Sequence, residues 1–228
     1  MSEDSAGAPP LRMAAVFDAV DEAGRPYFSA DRRRVLDPGE RSALAGYLES
    51  APMVVRASGF EVDPLDPDAG RVVPLGYRTD GVWVWQEASA YYLRTRGVAP
   101  DDALVAHAAS LGYEAPESVS DDVADAATEL ALTASPPRPV AGRQAATYFA
   151  NVKPGYPRED PVGLLRQWYD DQGRRVDELL PRDMRWQYTP AFLINERNAE
   201  DDFEEIPPRL AAEIVDRWWA DWHVDAKP

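Results

Sequence analysis

The chain has 228 residues, no cysteine and two histidines, and its 24 basic against 40 acidic side chains leave a net charge of −16. The lack of cysteine excludes disulfides, thiol nucleophiles and every cysteine-ligated metal, haem or iron–sulfur centre. A field of this sign repels phosphates and anionic lipid, so the expected partner is a basic protein, with no nucleic acid and no membrane.

At 45% hydrophobic residues a packed core is available. No apolar run is long enough to span a bilayer and no basic-then-apolar leader opens the chain, so a cytoplasmic location is expected. Residues 1–11 have the composition of a disordered tail. Ala14–Val20, the turn Asp21–Gly24 and Arg25–Phe28 read as a hairpin. Asp37-Pro38-Gly39-Glu40 reads as a helix start, with Asp37 as N-cap, Pro38 in the first position and Glu40 in the third; Leu44, Tyr47 and Leu48 form the apolar face. Pro52 follows it, and Met53–Val55 reads as a short strand. The loop Asp63–Gly70 holds Asp63, Asp66 and Asp68, but Pro64, Pro67 and the spacing do not suit an EF-hand, so a rigid solvated loop is expected and no metal.

Residues 75–97 carry the most legible pattern. Leu75, Tyr77, Val82 and Val84 alternate around Thr79-Asp80-Gly81, a hairpin signal because glycine accepts the positive φ of a tight turn. Glu87–Gly97 then reads as a helix with Tyr91, Tyr92 and Leu93 inward and Gly97 at its end. Pro100-Asp101-Asp102 starts another, with Ala103, Leu104, His107 and Leu111 along one side and Gly112 closing it; Ser120-Asp121-Asp122 starts a third, running to Leu132.

Ser135-Pro136-Pro137-Arg138-Pro139 reads as a linker. Beyond it come strands at 146–152, 163–169, 174–179 and 185–188, a short helix at 190–195 and a longer one at 207–222 on which Leu210, Ile214, Val215, Trp218 and Trp222 recur. The turns Asp21–Arg25 and Asp170–Arg174 share the pattern D-x-x-G-R. The expected architecture is α+β, two small lobes of antiparallel β-meander packed by helices. Its divisions are a tail (1–11), an N-terminal lobe (12–135), a linker (136–142) and a C-terminal lobe (143–228).

Three groups of residues are candidates for chemistry. Trp83 and Trp85 share one face of a strand, where they either stack a sugar-like ligand or pack a core. Glu200-Asp201-Asp202-Phe203-Glu204-Glu205 reads as a solvated loop or as an acidic contact patch with Phe203 as apolar anchor, and Trp219 reads as an exposed anchor on the last helix. His107, among alanines, reads as a packed residue, and His223 as a cation at a helix C-terminus. No catalytic motif and no cofactor-binding fingerprint is present in the sequence, so no cofactor is expected.

The run Tyr77-Arg-Thr-Asp-Gly-Val-Trp-Val-Trp85, then Ala90–Leu93 and Gly97–Pro100, resembles an element of uncharacterised actinobacterial proteins, some similar to immunity proteins of polymorphic toxins. The resemblance covers about residues 72–112 and transfers no functional residue. The net charge of −16, the missing catalytic motifs, the absent cysteine and the acidic run at 200–205 point to a non-catalytic acidic binding protein, an immunity- or antitoxin-type neutraliser of a basic protein partner. The alternatives are a carboxylate-dependent hydrolase acting on a sugar-like substrate, and a structural subunit of an assembly.

Overall fold

Asp80-Gly81 turns the chain back on itself as the alternation around it requires. Thr79 pairs with Val84 and Tyr77 with Gln86, leaving Gly81 (φ +91°) as the first central residue of a two-residue turn, where the mirror-image turns that suit hairpin twist demand glycine. The computed structural model describes residues 10–133, 146–170, 172–181, 183–189 and 202–225, with backbone alone at 202 and 222–225. The linker at 136–142 and the short helix at 190–195 lie outside the described residues, as do the first nine residues of the tail.

The chain is α+β and divides into two compact units, one of Met1–Val16 and Arg33–Arg138, the other of Phe17–Arg32 and Pro139–Pro228. The first unit holds β1 (Arg12–Met13), α1 (Pro38–Ser50), β4 (Met53–Val55), β5 (Phe60–Val62), β6 (Arg71–Pro74), β7 (Tyr77–Thr79), β8 (Trp83–Gln86), α2 (Ala88–Arg96), α3 (Asp102–Ser110) and α4 (Asp121–Thr133). Its main sheet runs β1-β8-β7-β4, and β1 joins it parallel to β8, the one departure from antiparallel pairing among the described strands. Strand alternation sends the two faces of β8 to different partners. Trp83 and Trp85 enter a core with Leu44, Tyr47 and Leu48 of α1, Leu93 of α2 and Leu104 of α3, whereas Val84 packs with Ala127 and Ala131 of α4. Both faces of β8 are therefore covered.

The helix ends follow the sequence. Asp37 accepts the N–H of Glu40 at 2.6 Å, but Glu40 turns its carboxylate to Arg33 and Tyr113, so only half of a capping box forms. Gly97 closes α2 in the left-handed region at φ +62°. On α3 the buried side is Leu104, Val105 and Ala108; Leu111, expected on that side, is exposed because the helix stops at Ser110.

The second unit holds β2 (Ala19–Val20), β3 (Pro26–Tyr27), β9 (Thr147–Val152), β10 (Gly163–Tyr169), β11 (Arg175–Leu180), β12 (Gln187–Tyr188), β13 (Asp202–Ile206) and α5 (Pro208–Asp225). The antiparallel sheet runs β12-β11-β10-β9-β13. The β2–β3 hairpin belongs to this unit, although in chain order it precedes every helix of the other.

The two D-x-x-G-R turns, at 21–25 and 170–174, are matched atom for atom. One oxygen of Asp21 accepts the backbone N–H of Ala23 and Arg25, each at 2.9 Å, and the other accepts Arg25 Nε–H at 2.8 Å. Asp170 repeats this with Gln172, Arg174 and Arg174 Nε at 2.9, 2.9 and 2.8 Å. The glycines, at φ +76° and +73°, sit where the turn needs a left-handed residue. Backbone N–H donation from the arginine, joined by its guanidinium, holds each carboxyl below its ordinary 3.8.

Because the folded pKa is depressed, the stabilisation is complete above pH 3.8 and is lost as pH falls through the lower folded value. Asp21→Asn and Asp170→Asn should each lower the urea midpoint at about pH 6 and converge on the wild type towards about pH 2. A difference that stays constant across that range would disprove the linkage.

Candidate functional site

Two clusters of ionisable side chains stand out, one in each unit. In the first, Asp80 projects from the β7–β8 turn with its side chain fully buried. Its Oδ1 accepts the N–H groups of Val82 (2.8 Å) and Trp83 (2.7 Å), which fixes the turn. Its Oδ2 accepts the Tyr47 hydroxyl from α1 and lies 3.2 Å from His107 Nε2 on α3. Burial, reinforced by the Asp80 carboxylate, pushes the Tyr47 hydroxyl far above the ordinary tyrosine range, so it serves as a fixed donor and not as a base. A carboxylate-oriented imidazole is the layout of an acid–base pair. Here, though, both Asp80 oxygens are committed to holding the turn, α1 and α3 together. His107 is thus tied to a buried carboxylate and is not packed in an apolar shell, as its alanine neighbours suggest.

The second cluster follows from register. Ile206, Tyr148, Arg166, Glu178 and Tyr188 lie in one row across β13, β9, β10, β11 and β12. Arg166 Nε donates to Glu178 at 2.7 Å, its Nη1 donates to Asp31 at 2.7 Å, and its guanidinium stacks over Trp186 at 4.2 Å. Tyr148 donates to Asp31 at 2.8 Å and Trp168 Nε1 to Glu178 at 2.8 Å. Burial against Asp31 raises Tyr148 far above its ordinary range. These contacts clamp the segment after β3 onto the sheet, with Nε, Nη1 and one face of the guanidinium all engaged.

Several expected placements change. Trp83 and Trp85 are 2% and 0% exposed, Arg12 covers Trp83 at 4.0 Å, and Trp85 donates to Leu48 O at 3.1 Å while stacking on Tyr47; neither ring can serve as a sugar platform. Trp219 is 3% exposed and is not an exposed anchor: Trp218 and Trp219 are both buried. Asp63, expected in a solvated loop, is 1% exposed, because its carboxylate accepts the hydroxyls of Tyr91 (3.1 Å) and Tyr92 (2.9 Å) beside Arg96.

Of the acidic run, Glu200 and Asp201 lie outside the described residues, as does the side chain of Asp202. Asp202–Ile206 is not a loop but the strand β13, paired with β9, with Phe203 half-buried and Glu204 and Glu205 exposed. Among the described residues no group of three or more histidines and carboxylates is placed to hold a metal ion, and no helix is long and apolar enough to cross a membrane.

One acidic surface was missed. Between Arg96 and Arg138 the sequence has eight carboxylates and no lysine or arginine. Among them Asp121, Asp122, Asp125 and Glu129 lie exposed on α4. The signal was present as a gap in lysine and arginine, which a charge count over the whole chain averages away. The chain matches no protein-family model, no curated protein and no solved structure.

Proposed function

We propose that this protein is a non-catalytic acidic binding protein, an immunity- or antitoxin-type neutraliser of a basic protein partner. The observation that carries this reading is the charge distribution: a net −16, with eight carboxylates and no lysine or arginine between Arg96 and Arg138 and four of those carboxylates exposed on one helix. Such a surface raises the encounter rate with a cationic partner and selects against anionic ones. The two clusters richest in ionisable groups add support, because their donors and acceptors hold elements of the fold together.

Capture from host lysate tests the reading. A single stoichiometric basic protein, bound at low salt and released at high salt, is the expected outcome; a salt-resistant set of proteins would point to a structural subunit instead. Within this reading the acidic run Glu200–Glu205 is the contact; Glu204 and Glu205 are exposed on β13, on opposite faces of the strand. Reversing Glu200, Asp201, Glu204 and Glu205 to lysine should weaken the partner roughly tenfold or more at low salt, with the unfolding midpoint little changed. Unchanged affinity in that variant removes this contact and leaves the rest of the charged surface to account for binding.

A further inference from the structure

The ribbon of β5 and β6 stands apart from the main sheet of its unit as a separate two-stranded sheet. All three residues of β5 are exposed, including Phe60 at 51% and Val62 at 45%. Phe60 and Val62, two apart, point to the same face, and Glu61 points to the other, opposite the buried Val73. Among the described residues β5 pairs with β6 alone, so its outer edge carries no strand partner. Exposed edges are ordinarily guarded by lysine, proline or a bulge that turns the strand away. Here β5 has neither lysine nor proline and offers two apolar side chains and one carboxylate, although its register with β6 shifts between Glu61 and Val62.

The edge is also held rigid. Asp63, the residue after β5, is buried and accepts the hydroxyls of Tyr91 and Tyr92 and the N–H of Leu65 (2.9 Å), which pins the tip of the ribbon to α2. An edge fixed in this way loses little conformational entropy when a further strand joins it. Its charge selects the newcomer. From Ala57 to Gly70 there are four carboxylates and no lysine or arginine, and three of the four, Glu61, Asp66 and Asp68, are exposed. Arg71, opposite Val62, is the one cation beside them on the ribbon. Pairing of β5 with the same edge of a second copy would bring like charges together.

We propose that β5 is the docking edge for an extended basic segment of a partner protein. That segment adds to the ribbon as a third strand, its apolar side chains against Phe60 and Val62 and its lysines or arginines beside Glu61, Asp66 and Asp68. The proposal rests on the acidic-binder reading for the sign of the partner's charge. Its location, and the strand geometry, come from the ribbon.

The test uses the full-length protein and an octapeptide of alternating lysine and valine, with a glutamate–valine octapeptide as control, followed by amide NMR titration. The lysine peptide should bind saturably at low salt and shift the amides of residues 60–62, and the glutamate peptide should not bind. Phe60→Ser with Val62→Ser should weaken the lysine peptide roughly tenfold, and Glu61→Lys with Asp66→Lys and Asp68→Lys at least as much. Both variants change exposed side chains, and an unaltered amide spectrum elsewhere confirms the fold. Lysine-peptide binding that is equal in wild type and both variants overturns the β5 edge while leaving the acidic-binder reading standing. No binding by the wild type overturns both. A concentration-dependent dimer abolished by Phe60→Ser with Val62→Ser assigns the edge to a second copy and overturns the basic occupant.

Discussion

Replacing Asp80 by alanine should cost about 4 kcal/mol in urea unfolding followed by tryptophan fluorescence. The side chain is fully buried and accepts from two backbone N–H groups of its own hairpin and from the Tyr47 hydroxyl of α1, with His107 of α3 beside it. Truncation leaves three part-buried donors without this acceptor, and each unsatisfied group costs about 1–3 kcal/mol. Asp80→Asn keeps one oxygen for the turn but offers an amide where Tyr47 needs an acceptor, so it should fall between alanine and wild type. The measurement separates two accounts of this cluster. If Asp80 holds the fold, Asp80→Ala and Tyr47→Phe share part of their cost and their double mutant falls short of additivity. A loss under about 1 kcal/mol for Asp80→Ala would show that the turn holds without it and would reopen an acid–base role for His107.

Arg166→Met should cost about 3 kcal/mol by the same measurement. The substitution preserves much of the stem's volume but strands Asp31 and Glu178, both mostly buried, without their shared cation. Asp31 keeps Tyr148 and Glu178 keeps Trp168 as donors, which limits the loss. Arg166→Lys should recover less than half of it, since a single ammonium cannot reach both carboxylates in fork geometry while lying flat on Trp186. Full stability in the lysine variant would mean that charge alone, without the planar fork, holds the segment after β3 to the sheet.

Local signals were legible wherever a short stretch carried its own instruction. Asp37 with Pro38, Gly97, the Asp80-Gly81 turn and both D-x-x-G-R turns sit where their chemistry places them, because caps and tight turns are decided within five residues. The strands of the second unit, at 147–152, 163–169 and 175–180, were likewise marked by β-branched and aromatic residues between turn signals. β5 was missed beside the proline- and aspartate-rich loop. β13 was missed because four of its five residues through Glu205 are acidic or flanked by acids, a composition depleted in strands that only pairing to β9 overrides.

By itself the sequence determined the α+β class, the helix caps, the turns, the sign of the field and the exclusion of cysteine chemistry. Tertiary structure alone decided which aromatic rings are covered, and that removed Trp83, Trp85 and Trp219 from any surface. It also decided that Asp63 is buried, that Asp80 meets Tyr47 and His107, and that Arg166 meets Asp31. Hydrophobic period tells which side chains share a face of one element, but not what lies against that face. Burial and ion pairing arise between elements far apart in the chain, so a residue's accessibility belongs to the packing and not to its neighbours in sequence.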